Sequence, residues 1–331
     1  MIFFGPHEVD EVSEHTYLGL TFTSTLSWNA HVTKVALHAR KKLNLMLPLK
    51  FKLDRRSLDT MFHSFVASSM YYGCEIWGCI SDTYLQKLEQ IIIDGMRIVT
   101  GATAGSSIVN FFTETAWHTF ADNRDRAILV MMYKTHHGMV PAYLQEIMLG
   151  QNQDFIQYHL RNKENIAVPC AKNNALKKSF VHSGVSLWNS LPLTTRQKPS
   201  LSAFRMELKK TNNPKNVLYY YGSRWPSIMH SRMRVGCSKL NYDLFFNLHI
   251  PDINPSCQCG FYIEDVKHFF LDCPLYRNIR ENLKIKVELL TNFNIDSLLY
   301  GSPRLTLDQN KLVFDAVHEY IVESGRFVYA V

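Results

Sequence analysis

The sequence predicts a mainly α protein with a short β segment at its start and a small cysteine-rich domain towards its end. Apolar residues recur at three- and four-residue spacings over much of residues 28–148, which is the period of an amphipathic helix. Residues 1–27 alternate short β-prone runs with turn residues. Three cysteines and a histidine lie close together in residues 257–273.

The β segment contains one predicted strand, at residues 17–22, and a turn at residues 24–27. Polar residues able to cap a helix, and glycines able to end one, mark the helical half: Asp54, Ser81 or Asp82, Gly101 and Gly138. The predicted helices of this half cover residues 28–46, 58–69, 82–99, 119–137 and 142–148.

Residues 151–199 lose the helical period and predict a loop-rich region, interrupted by a compact run at residues 179–192. Ser200 is a candidate cap for a helix at residues 201–210, and amphipathic helices are predicted at residues 274–290 and 307–322. We therefore divide the chain into four predicted domains: 1–27, 28–150, 151–222 and 223–331.

Length and composition exclude several classes of protein. The chain has 331 residues, 46% of them hydrophobic and 20% charged, which is typical of a folded protein. Its longest apolar run, residues 127–133, is far shorter than the roughly 20 residues that cross a bilayer. Seven cysteines, an odd number, argue against a disulfide framework. Because no signal peptide is recognisable, we expect an intracellular protein, nuclear or cytoplasmic, without a membrane partner.

Positive charge is concentrated in residues 161–239. This stretch holds fifteen Lys and Arg against two Glu, so it carries +13 while the whole chain carries +7. Such asymmetry is typical of a protein that binds a polyanion. The alternative is a solvated basic surface without a partner.

The strongest local motif is Cys257-x-Cys259, followed by His268 and Cys273. Three thiolates and one imidazole are the four ligands that a tetrahedral zinc site requires, and Gly260 permits a tight turn between them. A closed site of this composition predicts structural zinc. The alternative is a set of buried thiols beside an unrelated histidine.

Basic and aromatic residues flank this motif. Arg224, Arg232, Arg234 and Lys239 are suited to phosphate or base-edge contacts. Tyr and Trp side chains at residues 219–221 and 225 could stack on unpaired bases, or could be core residues.

No catalytic motif is recognisable. The sequence contains no Asp-Asp pair for a two-metal polymerase site, no phosphate-binding glycine loop and no nucleophile elbow. The adjacent Glu264 and Asp265 are interpreted as a cap for the helix that bears His268. We therefore predict no catalytic residues and no small-molecule substrate.

Several runs, in the same order, resemble the region that follows the polymerase palm in non-LTR (LINE-type, jockey- and CR-like) retrotransposon reverse transcriptases. The first resembles a "YLG…LxWxxH" pattern, and the later ones resemble an "RxxTG" pattern, a "WNxLP" pattern, an arginine-bearing motif and a zinc knuckle. The matching runs are at residues 17–31, 72–77, 88–101, 133–144, 180–192, 200–204, 232–236 and 257–273.

The resemblance implies a β remnant of the palm, a helical thumb-like bundle, a basic connector and a zinc-knuckle domain. It implies binding of element RNA and of target or primer–template DNA during target-primed reverse transcription. Basic residues of the thumb-like region are the implied contacts with the duplex: Lys34, Arg40, Lys41 and Lys42. The palm carboxylates of the RNA-directed DNA polymerase are missing, so we expect a truncated copy, inactive on its own.

Two functions from different classes are compatible with the sequence. The first is a non-catalytic nucleic-acid-binding fragment of such a reverse transcriptase. The second is a protein–protein interaction scaffold that structural zinc stabilises at its C-terminal end.

Overall fold

In the computed structural model the described residues are 2–4, 7–103, 105–149, 165–168, 170, 177, 179–210 and 215–327. They are mainly helical, which confirms the mainly α part of the predicted fold class. Of the predicted loop region, residues 151–199, the structure describes 165–168, 170, 177 and 179–199, and the rest lies outside the described residues. Among the described residues, no helix is both long and apolar enough to cross a lipid bilayer.

Two antiparallel hairpins open the chain: β1 (Ile2–Phe4) with β2 (His7–Val9), and β3 (Glu14–Tyr17) with β4 (Leu20–Thr23). The prediction of one strand over residues 17–22 is wrong, because a turn interrupts it. Leu18 and Gly19 have φ values of +46° and +79°. Positive φ at both central residues is typical of a two-residue type I′ hairpin turn, which glycine favours at its second position.

Eight α-helices follow before residue 150, broadly where the periodicity predicts helices. A π-helical segment, Phe62–Ala67, joins two of them. The eight are α1 (Asn29–Met46), α2 (Arg55–Met61), α3 (Ser68–Tyr71), α4 (Cys74–Trp77), α5 (Asp82–Thr100), α6 (Ile108–Thr115), α7 (Phe120–His136) and α8 (Ala142–Leu149).

The second half of the described chain adds further helices. They are α9 (Phe180–Ser190), α10 (Leu193–Arg196), α11 (Leu201–Lys209), α12 (Arg224–Arg234), α13 (Arg277–Glu288), α14 (Ile295–Tyr300) and α15 (Leu307–Glu323). The compact run predicted at residues 179–192 is therefore a helix. Residues 224–234, interpreted from the sequence as a basic motif, also form one.

Two of the predicted helix caps, Asp54 and Ser200, are confirmed. Asp54 accepts a hydrogen bond from the backbone N–H of Ser57 at 2.9 Å, and Ser200 accepts one from Ala203 at 3.2 Å. A polar side chain at this position satisfies an N–H that the first turn of a helix leaves without a partner. Thr119 and Asp122 form a reciprocal capping box at the start of α7.

The predicted division into four domains stays a prediction; by compactness the chain divides into two units, each made of three separated stretches. Unit 1 contains residues 1–40, 67–91 and 118–212, and unit 2 contains residues 41–66, 92–117 and 213–331. The core of unit 1 includes Tyr133, Trp188 and Phe204 from α7, α9 and α11. The core of unit 2 forms around α12, α13, α14 and α15. Full burial of each large apolar side chain contributes about 1.5–3 kcal/mol.

His31, part of the "LxWxxH" pattern, has a structural role in unit 1. Its ring is buried and its Nδ1 accepts a hydrogen bond from the backbone N–H of Thr21 at 3.2 Å. The ring also meets the Trp77 indole edge-on, with centroids 5.2 Å apart. This histidine therefore fastens the second hairpin and α4 to the start of α1.

Candidate metal centre and nucleic-acid interface

The first two thiols of the predicted metal site lie in a tight turn. Gly260 has φ of +91°, and its backbone N–H donates to the carbonyl of Cys257 at 3.0 Å. The N–H of Cys257 donates in turn to the carbonyl of Phe261 at 2.8 Å. Because a left-handed conformation suits glycine, the chain can reverse here and bring Cys257 and Cys259 to one side.

The other two ligands are brought together by a π-helical turn, His268–Asp272. The backbone N–H of Cys273 donates to the carbonyl of His268 at 2.8 Å, a bond across five residues. A wide turn of this kind places side chains five residues apart on the same face. Asp265 accepts a hydrogen bond from the N–H of His268 at 2.6 Å, so the predicted cap is confirmed for this residue.

The four side chains converge on one point. The sulfurs of Cys257 and Cys273 are 3.7 Å apart, and the sulfur of Cys259 lies 3.3 Å from Nε2 of His268. All four ligand atoms lie within 4.8 Å of one another. Zinc with Zn–S bonds of about 2.3 Å in tetrahedral geometry requires sulfurs about 3.8 Å apart. The cluster therefore fits a metal ion and is compatible with zinc.

Burial shifts the pKa of two thiols of the cluster. Burial raises the pKa of the Cys257 thiol to about 12, and burial also raises the pKa of the Cys273 thiol. Without a cation these groups stay protonated, whereas a zinc ion would stabilise the thiolates. His268 is buried and its ring stacks on that of Phe261, with centroids 4.5 Å apart and planes 3° apart. This stacking fixes the ring plane that presents Nε2 to the cluster.

Two arginines support the residues around the cluster. Arg280 donates to the carbonyl of Cys273 at 2.6 Å. Arg326 donates through Nε and Nη2 to the carboxylate of Glu264 at 2.8 and 2.7 Å. Supporting groups of this kind fix the orientation of metal ligands. Sequence reasoning missed both arginines, because residues 280 and 326 themselves lie outside the cysteine motif.

The four cations predicted from the thumb-like resemblance lie on α1. Lys34 and Lys41 are exposed, and Arg40 and Lys42 are half-buried. Lys34 forms an ion pair with Glu14 at 2.9 Å, and the ammonium of Lys42 lies 4.9 Å from the centroid of the Phe65 ring. Lys41 has no such partner among the residues that the structure describes. Their contact with nucleic acid stays a prediction.

The predicted basic residues of the C-terminal half have different surroundings. Lys239 is exposed. Arg232 and Arg234 have only 6% and 8% of their surface exposed. Arg224 is half-buried, and its guanidinium donates to the carbonyls of Lys50, Ile98 and Val99 at 2.7–3.0 Å. For these three arginines, nucleic-acid contact stays a prediction, and the structure gives each an internal partner.

Arg234 belongs to a buried ionic triad that the sequence did not reveal. Its Nε and Nη2 donate to the two carboxylate oxygens of Glu114, each at 2.8 Å. Arg55 donates to the same carboxylate at 2.6 Å, and Ser231 donates at 2.8 Å. Burial alone would raise the pKa of Glu114, but the guanidinium groups of Arg234 and Arg55 hold it below its ordinary value. The available signal was that Glu114 is the one charged residue of α6.

The aromatic residues considered for base stacking mostly have internal roles. The guanidinium of Arg234 lies 4.1 Å from the centroid of the Tyr219 ring, and that of Arg55 lies 4.6 Å from the Tyr220 ring. Tyr221 donates to Asp315 at 2.8 Å, and Trp225 packs on the core of unit 2. The structure therefore gives each of these half-buried side chains a contact within the protein, and base stacking stays a prediction.

Comparison with known proteins gives one relationship. No family model and no solved structure matches the chain. A stretch of 88 residues is 28% identical to a protein of Drosophila melanogaster named "Probable RNA-directed DNA polymerase from transposon X-element". The stretch covers 26% of this chain and 10% of that protein. The chain therefore spans a small part of the length of its curated relative, and the similarity supports a relationship to retrotransposon reverse transcriptases.

Proposed function

We propose that this chain is a nucleic-acid-binding, non-catalytic part of a non-LTR retrotransposon reverse transcriptase. The observation that carries the proposal is the similarity to a protein named as an RNA-directed DNA polymerase. An enzyme of that name must hold an RNA template and a DNA strand. Regions beside its catalytic centre can contribute to this nucleic-acid binding without catalytic residues of their own.

Exposed cations on single helices support the proposal. On α1, Val32, Ala39 and Leu43 are buried at 0–2% exposure, whereas Lys34 and Lys41 face solvent. On α11, Phe204 is buried while the basic residues stay exposed at Arg205 and Lys209. A helix that packs one face and presents cations on the other can contact a phosphate backbone, and such contacts release counterions.

We assign zinc a structural role in this function. The Cys257, Cys259, His268 and Cys273 side chains would fill all four positions of a tetrahedral ion, so no position remains for a reacting water. Binding energy at such a site is folding energy. Zinc would therefore hold residues 257–273 in the turn and π-helical geometry described above.

The test is equilibrium binding of the full chain to labelled single-stranded RNA, DNA duplex and RNA–DNA duplex over a series of salt concentrations. We expect log affinity to fall linearly with log salt, with a slope of about −0.7 to −0.9 for each phosphate contact. Bovine serum albumin at equal concentration serves as the negative control. Absence of binding at low salt, or an affinity that does not change with salt, would overturn the proposal.

A second candidate, a protein–protein interface at the metal cluster, is favoured by one observation. Phe261 and Tyr262 are 42% and 70% exposed beside the cluster. Residues 249–279 hold four carboxylates against two Lys and Arg, which does not favour a polyanion there. If Tyr262→Ala leaves RNA affinity unchanged, the protein interface is favoured. A loss of about fivefold or more would indicate base stacking instead.

A further inference from the structure

Cations surround the last carbonyl groups of α5 and the turn that follows it. Arg224 donates to the carbonyls of Ile98 and Val99, at 3.0 and 2.8 Å. Arg232 donates through Nε to the carbonyl of Gly101 at 2.9 Å, and Lys50 donates to that of Ala102 at 2.9 Å. The negative end of a helix dipole attracts cations, which explains why they gather here.

These cations differ from Arg55 and Arg234, because they lack a carboxylate partner. Arg55 and Arg234 share Glu114. Among the described residues, no carboxylate forms an ion pair with Lys50, Arg224 or Arg232. The nearby Arg97 is paired with Asp94 at 2.7 Å and adds no net charge.

Among the described residues, Asp54 is the one carboxylate whose charge acts on the cluster of Lys50, Arg224 and Arg232. Burial lowers the pKa of Arg224, and the nearby charge of Asp54 opposes this only in part. The oxygens of Asp54 accept from the N–H and hydroxyl of Ser57 at 2.9 and 2.6 Å. Asp54 is exposed, so solvent screens its charge. Lys50, Arg224 and Arg232 therefore carry about three uncompensated positive charges in a partly buried place.

Burial, together with the charges of Arg232 and Arg224, lowers the pKa of Lys50 to about 8. A bound anion would reverse this effect, because it would stabilise the ammonium form.

Hydrogen-bond donors remain available for such an anion. Lys50 uses one donor of its ammonium on Ala102. The two terminal nitrogens of Arg232 have no hydrogen-bond partner among the residues that the structure describes. Arg224, in contrast, uses Nε and both terminal nitrogens on backbone carbonyls, including that of Lys50 at 2.7 Å. Arg224 is therefore a positioning residue, and Lys50 and Arg232 are the two groups that can contact a ligand.

We propose that Lys50 and Arg232, positioned by Arg224, form a phosphate-binding site at the end of α5. The ligand that we assign to it is a backbone phosphate of a bound nucleic-acid strand, and this assignment rests on the proposed function. Charge-assisted hydrogen bonds from an ammonium and a guanidinium to phosphate oxygens are strong and tolerate any base sequence. Lys50 was not among the residues predicted from the sequence.

The test compares Lys50→Gln, Lys50→Arg and a matched control, Lys87→Gln, in the full chain. Lys87 is exposed on α5, so its substitution removes the same charge elsewhere. The probe is a labelled single-stranded RNA of about 20 nucleotides, titrated at several salt concentrations. We expect Lys50→Gln to weaken binding about fivefold at low salt and to reduce the salt slope by about 0.7. Lys50→Arg should restore both quantities.

A second arm uses inorganic phosphate. The melting temperature of the wild type in sodium phosphate is compared with that in sodium chloride at equal ionic strength. Phosphate stabilises most proteins by exclusion from their surface, so the informative quantity is the difference between wild type and Lys50→Gln. A stabilisation that disappears in Lys50→Gln and persists in Lys87→Gln supports the site.

The outcomes separate the two proposals. If the wild type binds RNA and Lys50→Gln behaves like Lys87→Gln in both arms, the site is overturned while the proposed function stands. If the wild type does not bind RNA but phosphate stabilises it through Lys50, the proposed function fails and the ligand is free phosphate. If neither arm responds, both proposals fail.

Discussion

Arg234 and Glu114 form a bidentate ion pair inside unit 2. Nε of Arg234 donates to Oε2 and Nη2 donates to Oε1, each at 2.8 Å, and both side chains are only 2–3% exposed. Arg55, which lies 59 residues before Glu114 in the sequence, is the third member of the triad. Removing the shared carboxylate of such a buried triad is costly, because it leaves both guanidinium groups charged and without their counter-charge.

Glu114→Gln is therefore expected to destabilise the protein by about 3–5 kcal/mol, since two buried arginines lose their shared counter-charge. Urea denaturation followed by circular dichroism measures the change in the free energy of unfolding. Glu281→Gln is the matched control, because Glu281 is exposed on α13 and should change stability little. A loss below about 1 kcal/mol for Glu114→Gln would contradict a structural role for the triad.

The same triad predicts a pH dependence of stability. Glu114 has a folded-state pKa below its ordinary value of 4.5. A depressed pKa contributes stability that is fully present above the unfolded-state value and is lost as the pH falls through the folded-state value. The free energy of unfolding of the wild type should therefore decrease from about pH 5 downwards. Glu114→Gln should lose less stability over the same range, and an equal loss in both proteins would count against the assignment.

Zinc removal should affect one part of unit 2. Cys259→Ser is expected to abolish stoichiometric zinc and to increase amide hydrogen exchange over residues 240–290, because metal binding there stabilises the fold. Metal analysis and exchange measured by mass spectrometry test both effects. Cys170→Ser is the control, since Cys170 is an exposed free thiol outside the cluster. Wild-type protein purified without chelators but containing well under one zinc per chain would refute the zinc assignment.

Two lysines of α1 should contribute unequally to nucleic-acid binding. Lys34 is engaged by Glu14 at 2.9 Å, whereas Lys41 is exposed with no ion-pair partner within the described residues. Lys41→Gln should therefore weaken binding to every sequence tested and reduce the salt slope by about 0.7–0.9. Lys34→Gln should have a smaller effect, because the Lys34 ammonium is already engaged by the Glu14 carboxylate and is less available to a phosphate. Filter binding over a salt series measures both, and a larger effect for Lys34→Gln would reverse the assignment.

Local patterns predicted much of the fold. The helices that begin at Asp54, Thr119 and Ser200 were predictable because a cap and an apolar period lie within a few residues of each other. The strand predicted at residues 17–22 was wrong. The residues around Gly19 have high β propensity and favoured one continuous strand, but Gly19 ends a two-residue turn. The capping glycines and polar residues were better signals than propensity alone.

The candidate site, like the fold, was predictable only in part. The cysteine and histidine cluster was predictable because all four ligands lie within residues 257–273. The roles of Arg232 and Arg234 were not, because their partners Gly101 and Glu114 lie 131 and 120 residues away in the sequence. The sequence alone does not distinguish a solvated Lys or Arg from one that is paired inside the fold. The burial of such a side chain depends on contacts with residues that are far away in the sequence.

The interleaving of unit 2 has a consequence for synthesis of the chain on the ribosome. Glu114 emerges 120 residues before Arg234. At 5–20 residues per second, this delay lasts roughly 6–24 seconds. During this time Arg55 and Glu114 have been synthesised, but Arg234, the third member of the triad, has not. Nascent chains arrested before residue 234 should therefore be sensitive to protease within residues 41–66 and 92–117, and should gain protection only after α12 has left the exit tunnel.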